Sequence, residues 1–156
     1  MIHTLKQSKK DLKNLFILSS FFSDNPYDFY KLKNLVKTSY NCFYEESDNY
    51  NGFILINKIK GPEPESGQKQ IIKNYIKFLV NSPDTLRRLL TSLLWHTQRE
   101  LYVEVEKHSP FLRIFREKRF NFFETKGNTL LLKRNKIIIK PPLVNGFPAK
   151  QKEFKD

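Results

Sequence analysis

Residues 75–94, Tyr75-Ile-Lys-Phe-Leu-Val-Asn-Ser-Pro-Asp-Thr-Leu-Arg-Arg-Leu-Leu-Thr-Ser-Leu-Leu94, constrain the fold more than any other stretch of the chain. They read as a buried strand that turns directly into an amphipathic helix. Ser82 and Pro83 supply the cap and the first turn, and Leu86, Leu89, Leu90, Leu93 and Leu94 recur at helical spacing. Such a junction is where α/β proteins build anion sites, because backbone N–H groups at a helix start point into the crevice.

The flanking sequence alternates between the two periodicities. A strand is expected over residues 2–5. The capping-type run Ser8-Lys-Lys-Asp11 leads into a first helix with Leu12, Leu15, Phe16, Ser19 and Phe22 on one side. Asn25 and Pro26 open a second helix that buries Phe29, Leu32, Leu35 and Val36. Strands at 41–46 and 53–59 flank the turn formers of 47–52, predicting a hairpin. Residues 61–67 are a loop rich in Gly, Pro and Glu. Further strands are expected at 71–80, 101–105, 120–124 and 129–133, with a short helix from Ser109 and Pro110 to Arg119. Ile137 and the two residues after it are placed to extend the last strand.

A chain of 156 residues with 39% hydrophobic content, 14 Phe and 7 Tyr is most simply one core-forming domain. The single cysteine, Cys42, excludes an internal disulfide and any multi-cysteine zinc cage, and reads as a small apolar side chain on a strand. His3, His96 and His108 are too far apart in sequence to suggest a metal site, and none is predicted. No apolar run is long enough to span a bilayer, and the N-terminal residues lack a secretory apolar stretch, so no membrane partner and a cytoplasmic, reducing compartment are expected. A net charge of +12 favours anionic partners such as nucleic acid, phosphorylated cofactors or acidic proteins. A Lys-, Asn-, Ile- and Phe-rich composition also fits an AT-rich genome, which raises Lys without any function.

The element order resembles the GNAT superfamily of acetyl-CoA-dependent N-acetyltransferases. Residues 43–56 look like that family's second and third strands, and 102–120 like its fifth strand and fourth helix. The resemblance implies an α/β (α+β) fold: a mixed, mostly antiparallel sheet of about seven strands flanked by about four helices. It covers residues 1–134, and 135–156 read as a basic C-terminal extension, expected to be partly disordered. In the family the fourth strand ends on Val and leads into a Gln/Arg-x-x-Gly-x-Gly/Ala loop that approaches the CoA pyrophosphate. From Val80 this frame puts Thr85 at the Gln/Arg position, Arg88 at the first glycine and Leu90 at the second small residue. The family's Asn-x-x-Ala-x-x-Leu-Tyr-x-x-x-Gly-Phe run is matched by His108 for Asn, Phe111 for Ala, Phe115 for Tyr, Arg119 for Gly and an identical Phe120. The cofactor contacts so implied are Phe78, Val80, Thr85, Leu86, Arg87, Arg88 and His108.

Two functions from different classes follow. One is an acetyltransferase moving an acetyl group from acetyl-CoA to an amine, with Glu45, Glu46, Glu104 and Glu106 as carboxylates among which sequence names no base, and with no catalytic residue assigned. The other is a catalytically inactive GNAT-fold binding module, motivated by the absent glycines, asparagine and tyrosine and by a basic surface suited to nucleic acid or an acidic protein. An interaction subunit using the tail after Lys140 is a third, loosely constrained reading.

Overall fold

In a computed structural model the chain forms one seven-stranded sheet with helices on both faces. The described residues are 1–4, 12–13, 15–17, 20, 27–46, 50–62, 65–137, 143–144 and 147–148. The strands are β1 (Ile2–Thr4), β2 (Ser39–Glu46), β3 (Tyr50–Lys60), β4 (Ile72–Val80), β5 (Leu101–Glu106), β6 (Asn121–Lys126) and β7 (Thr129–Arg134). Their order is β1-β2-β3-β4-β5-β7-β6, antiparallel throughout except between β4 and β5. The helices described as whole elements are α1 (Phe29–Lys37), α2 (Pro83–Trp95) and α3 (Leu112–Glu117). Residues 12–13 and 15–17 are also helical, as expected for the first helix. A short pair, β8 (Leu143–Val144) with β9 (Phe147–Pro148), stands apart from the main sheet.

The alternation of strands and helices sorts the apolar residues into two cores. On one face Leu86, Leu89, Leu90 and Leu93 of α2 pack with Ile54, Ile56, Ile76, Leu101, Val103, Ile114 and Phe115. These four leucines are fully buried, and each contributes about 1.5–3 kcal/mol by leaving water. On the other face Leu32 and Val36 of α1 meet Leu15, Cys42, Phe53 and Leu55. Burial pushes the Cys42 thiol up to about 11, so the side chain behaves as a small hydrophobe, as expected. Among the described residues no helix is long and apolar enough to cross a membrane.

Several boundaries depart from expectation for local reasons. Helix α1 starts at Phe29, where the Asp28 side chain accepts from the Lys31 N–H at 2.8 Å. Asn25 and Pro26, expected to open it, lie outside the described residues, as do 5, 8–11, Ser19, Phe22 and 47–49. The last strand stops at Arg134, and Ile137 instead donates its N–H to Gln98 O at 2.9 Å. The expected 109–119 helix shortens to α3, because Arg119 takes a left-handed φ of 68° and breaks it.

Two backbone positions generate predictions. Gly52 has φ 144°, and a Cβ there would stand 2.3 Å from Leu79 O and 2.7 Å from Val80 Cα on β4. Gly52→Ala is expected to destabilise the protein by about 3 kcal/mol, read from the midpoint of urea unfolding. Arg119 carries a left-handed penalty of about 1–2 kcal/mol that glycine avoids, offset by glycine's larger unfolded-state entropy. Arg119→Gly is therefore expected to raise stability by about 0.5–1 kcal/mol in the same assay, and a loss of stability would contradict it.

Candidate functional site

Strands β4 and β5 run parallel but share one ladder pair, Tyr75 with Tyr102. Beyond it, residues 76–80 and 103–106 form no ladder with each other, while β4 stays paired with β3 and β5 with β7 to their ends. The two central strands therefore part into a V that opens toward Val80 and Glu106. Tyr75 and Tyr102 stack at its apex with centroids 5.5 Å apart. Burial, then hydrogen bonding to Glu100 at 2.6 Å, pushes the Tyr102 hydroxyl up to about 12.

On the helical side of the V, Phe78 meets Phe111 edge-on at 5.4 Å and Phe115 at 5.5 Å. Phe115 is fully buried and stacks edge-on against Phe120. It fills the tyrosine position of the resemblance with a ring that has no proton to give. Phe111, half-buried, adds a ring where the resemblance has alanine.

At the mouth of the V, α2 begins at once. Ser82 caps it, accepting from the Thr85 N–H at 3.3 Å, and Pro83 brings no N–H to the first turn. Asp84 adds negative charge to that turn. Residues 83–90 are consequently helix, so Thr85, Arg88 and Leu90, matched to a glycine loop, lie on α2, with the Thr85 N–H taken by the cap.

A ring of side-chain hydrogen bonds locks this junction to the β2–β3 hairpin. Glu45 accepts from Arg88 Nε at 2.6 Å, from Arg88 Nη2 at 2.9 Å and from Asn51 Nδ2 at 3.1 Å. Asn81 Nδ2 donates to Asn51 Oδ1, the Thr85 hydroxyl to Asn81 Oδ1 at 2.7 Å, and Arg88 Nη2 to Thr85 Oγ1, which closes the ring. The Glu45 side chain is 6% exposed and that of Arg88 52%. Hydrogen bonds from Arg88 hold the Glu45 carboxyl below its ordinary range against the opposing effect of burial.

The sequence-named residues thus fall into separate groups. Val80, Thr85 and Leu86 are buried, and Phe78 is half-buried in the aromatic cluster. Arg88 is engaged by Glu45, while Arg87 bridges Asp84 at 2.9 Å and Glu117 of α3 at 3.2 Å. His108 sits in an exposed turn after β5. Of the four carboxylates, Glu45 belongs to the ring, whereas Glu46, Glu104 and Glu106 are exposed. Asn51 and Asn81 escaped sequence reading, since only the fold brings the hairpin to the helix start. An open depression of about 580 Å³ lined by Ser109, Leu112, Arg113, Arg116 and Glu117 lies on α3. Among the described residues no three His, Cys, Asp or Glu side chains group to hold a metal.

No family model matches the chain, and no curated protein does. Solved structures do. The GNAT domain of S. lividans PAT is 10% identical with a TM-score of 0.59, covering 85% of this chain and 88% of that one. The ribosomal-protein-S18-alanine N-acetyltransferase from Escherichia coli is 11% identical at 0.59, over 92% and 98%. The PaiA N-acetyltransferase from Thermoplasma acidophilum, in complex with coenzyme A, is 15% identical at 0.55, over 88% and 98%. The fold is the GNAT fold. At these identities the likeness is one of architecture.

The ring makes a pH prediction. Because the Glu45 pKa is lower folded than unfolded, its contribution is complete above the unfolded value of about 4.3 and is lost as pH falls through the folded value. Glu45→Gln should cost about 2 kcal/mol at pH 7 and flatten the acid limb of stability against pH. An unchanged acid limb in urea titrations between pH 3 and 7 would show that the pair contributes nothing.

Proposed function

We propose that the protein is an N-acetyltransferase that moves an acetyl group from acetyl-CoA to an amine, with the thioester arm lying between β4 and β5. The observation that carries this reading is the single Tyr75–Tyr102 pair, past which β4 and β5 run without a shared ladder. An extended arm fits against strand edges left free of a partner, and positioning an amine beside a thioester accounts for most of what such a reaction needs from a protein. Acetyl-CoA, held along these strands, would supply an activated thioester carbonyl to an amine placed beside it.

The chain's own residues suit the two ends of this cofactor unequally. Along the V the facing strand edges are free of a shared ladder, and the Phe111 ring has to move for an arm to enter. At the pyrophosphate end Pro83 has no N–H, the Ser82 cap takes that of Thr85, and Arg87 and Arg88 are engaged by carboxylates, so binding rests on the arm and is expected to be weak. On the face turned away from α2, exposed Glu104 stands near Tyr75, whose pKa is raised by burial first and then by the charges of Glu104 and Glu124. Glu104 is the carboxylate we assign to orient the amine and accept its proton, on a face where Lys73, Lys77 and Lys133 also lie over the Tyr102, Tyr75 and Phe123 rings.

The start of α2 at Pro83 favours a second reading, a GNAT-fold module that binds through its basic surface without acetyl transfer. Phe111 separates the two. Its edge contact with Phe78 is worth about 1 kcal/mol and has to be given up for an arm to enter, so Phe111→Ala is expected to tighten acetyl-CoA binding about 5–10-fold by calorimetric titration. Absence of heat in both the native protein and Phe111→Ala, beside salt-dependent retention of RNA, would replace the enzyme with the binding module.

A further inference from the structure

We propose that the sheet face beyond the C-terminal end of α2 binds single-stranded nucleic acid, through Tyr40, Lys58, Lys60, Asn74, Arg99 and Trp95. Strand register places the central residues together. Tyr40 pairs with Ile56, and Lys58 pairs with Asn74, one alternation beyond the Ile56–Ile76 pair of the core under α2, so all three side chains share that face. The Tyr40 hydroxyl donates to Asn74 Oδ1 at 2.9 Å. Lys58 Nζ lies 5.0 Å and the Arg99 guanidinium carbon 5.5 Å from the centre of the Tyr40 ring. Asn74 and Arg99 stand where β4 and β5 begin, at the end of the sheet away from the open V. The site shares no residue with the V. It gives the basic surface of the second reading a location, and stands whether or not the V transfers acetyl groups.

The shared ring keeps the Lys58 and Arg99 charges about a Debye length apart or closer. No carboxylate neutralises them. Among the described residues Lys58, Lys60 and Arg99 form no ion pair, and Glu100, the residue after Arg99, is held by Tyr102 and Lys133. The opposite face of β4 and β5 also sets lysines over rings, but Glu100, Glu104 and Glu124 stand among those. At the mouth of the V, Arg87 and Arg88 are paired. The Tyr40 face instead keeps its positive charge unneutralised, and a phosphate backbone supplies the charge it lacks.

Charge alone would suit any acidic partner, and the flat groups select among them. Lys58 and Arg99 are exposed and Tyr40 is half-buried, which leaves the guanidinium plane open to a base. Trp95, the last residue of α2, stands four residues before Arg99 and is 86% exposed. His96, next to it, rests on Phe43 of β2 with ring centroids 5.1 Å apart, and Phe43 belongs to the core cluster against which Tyr40 packs. An indole left in water contributes nothing to the core. Unpaired bases stack on aromatic and guanidinium planes, whereas an acidic peptide gains from charge only, and duplex bases are already stacked on one another. The combination therefore fits a single strand.

The test is fluorescence polarisation of a labelled oligouridylate of about ten nucleotides with the full chain, between about 50 and 200 mM salt. The native protein should bind, with affinity falling as salt rises. Lys58→Gln combined with Arg99→Gln should weaken binding about tenfold and reduce the salt slope by about 1.4, the share of two phosphate contacts. Trp95→Ala should weaken binding with the slope unchanged, and emission from Trp95, the one tryptophan of the chain, should fall as the native protein fills with RNA. Lys126→Gln removes the same charge at the V end of the sheet, where Lys126 and Glu106 both pair with Thr129, and should bind as the native protein does. No binding at the lowest salt, native-like binding by the double variant or by Trp95→Ala, or an equal loss in Lys126→Gln would overturn the proposal. Displacement of the RNA by an equal charge of polyglutamate would overturn it in favour of an acidic protein. Calorimetry with acetyl-CoA reads the V alone, so either reading can fail without the other.

Discussion

The ring through Glu45, Asn51, Asn81, Thr85 and Arg88 fastens the β2–β3 hairpin to the first turn of α2, and the geometry around the V depends on that fastening. Thr85 can close the ring only from inside a helix that starts at Pro83, with Ser82 as its cap. A coil at residues 83–88 would move Thr85 and Arg88 off their partners and leave the Glu45 carboxylate, 6% exposed, without its cation. The polar network and the early helix start thus require each other. Gly52 belongs to the same arrangement, because the hairpin comes close enough to β4 for a Cβ there to meet Leu79 O.

That arrangement explains how this fold accommodates side chains at positions where the resemblance has glycines. In the resemblance a loop approaches phosphate through backbone N–H groups, and Arg88 and Leu90 stand where small residues would. Here both lie within α2, Leu90 in the core and Arg88 on Glu45, so neither is a damaged loop residue. Phe111 fills the neighbouring space in a similar manner, since its ring rests on Phe78 at the helical side of the V. The junction has its own internal partners, and beside it two parallel strands separate.

Local patterns were legible in the sequence. The leucine stripe of α2, the Ser-Pro start, the hairpin around Gly52 and the strand that ends on Val80 follow from periodicity and turn chemistry, and the structure has them within a residue or a few. Cap choice was less so, because Asn25 and Asp28 are both good caps and only the bond to Lys31 singles out Asp28. The ring was not legible at all: Glu45 and Arg88 are 43 residues apart, and no spacing rule links a strand carboxylate to a helix arginine. Phe111 and Arg119 were visible as departures from a family pattern, but their consequences depend on the partner ring of Phe78 and on a φ angle, which are tertiary facts.

Charge gives the same lesson at larger scale. A net +12 suggests a basic surface without saying where it acts. At the mouth of the V the arginines are neutralised from within, Arg87 by Asp84 and Glu117 and Arg88 by Glu45, so the junction most like an anion site is electrostatically closed. The distribution of carboxylates, more than that of arginines, therefore decides where this protein attracts negative charge.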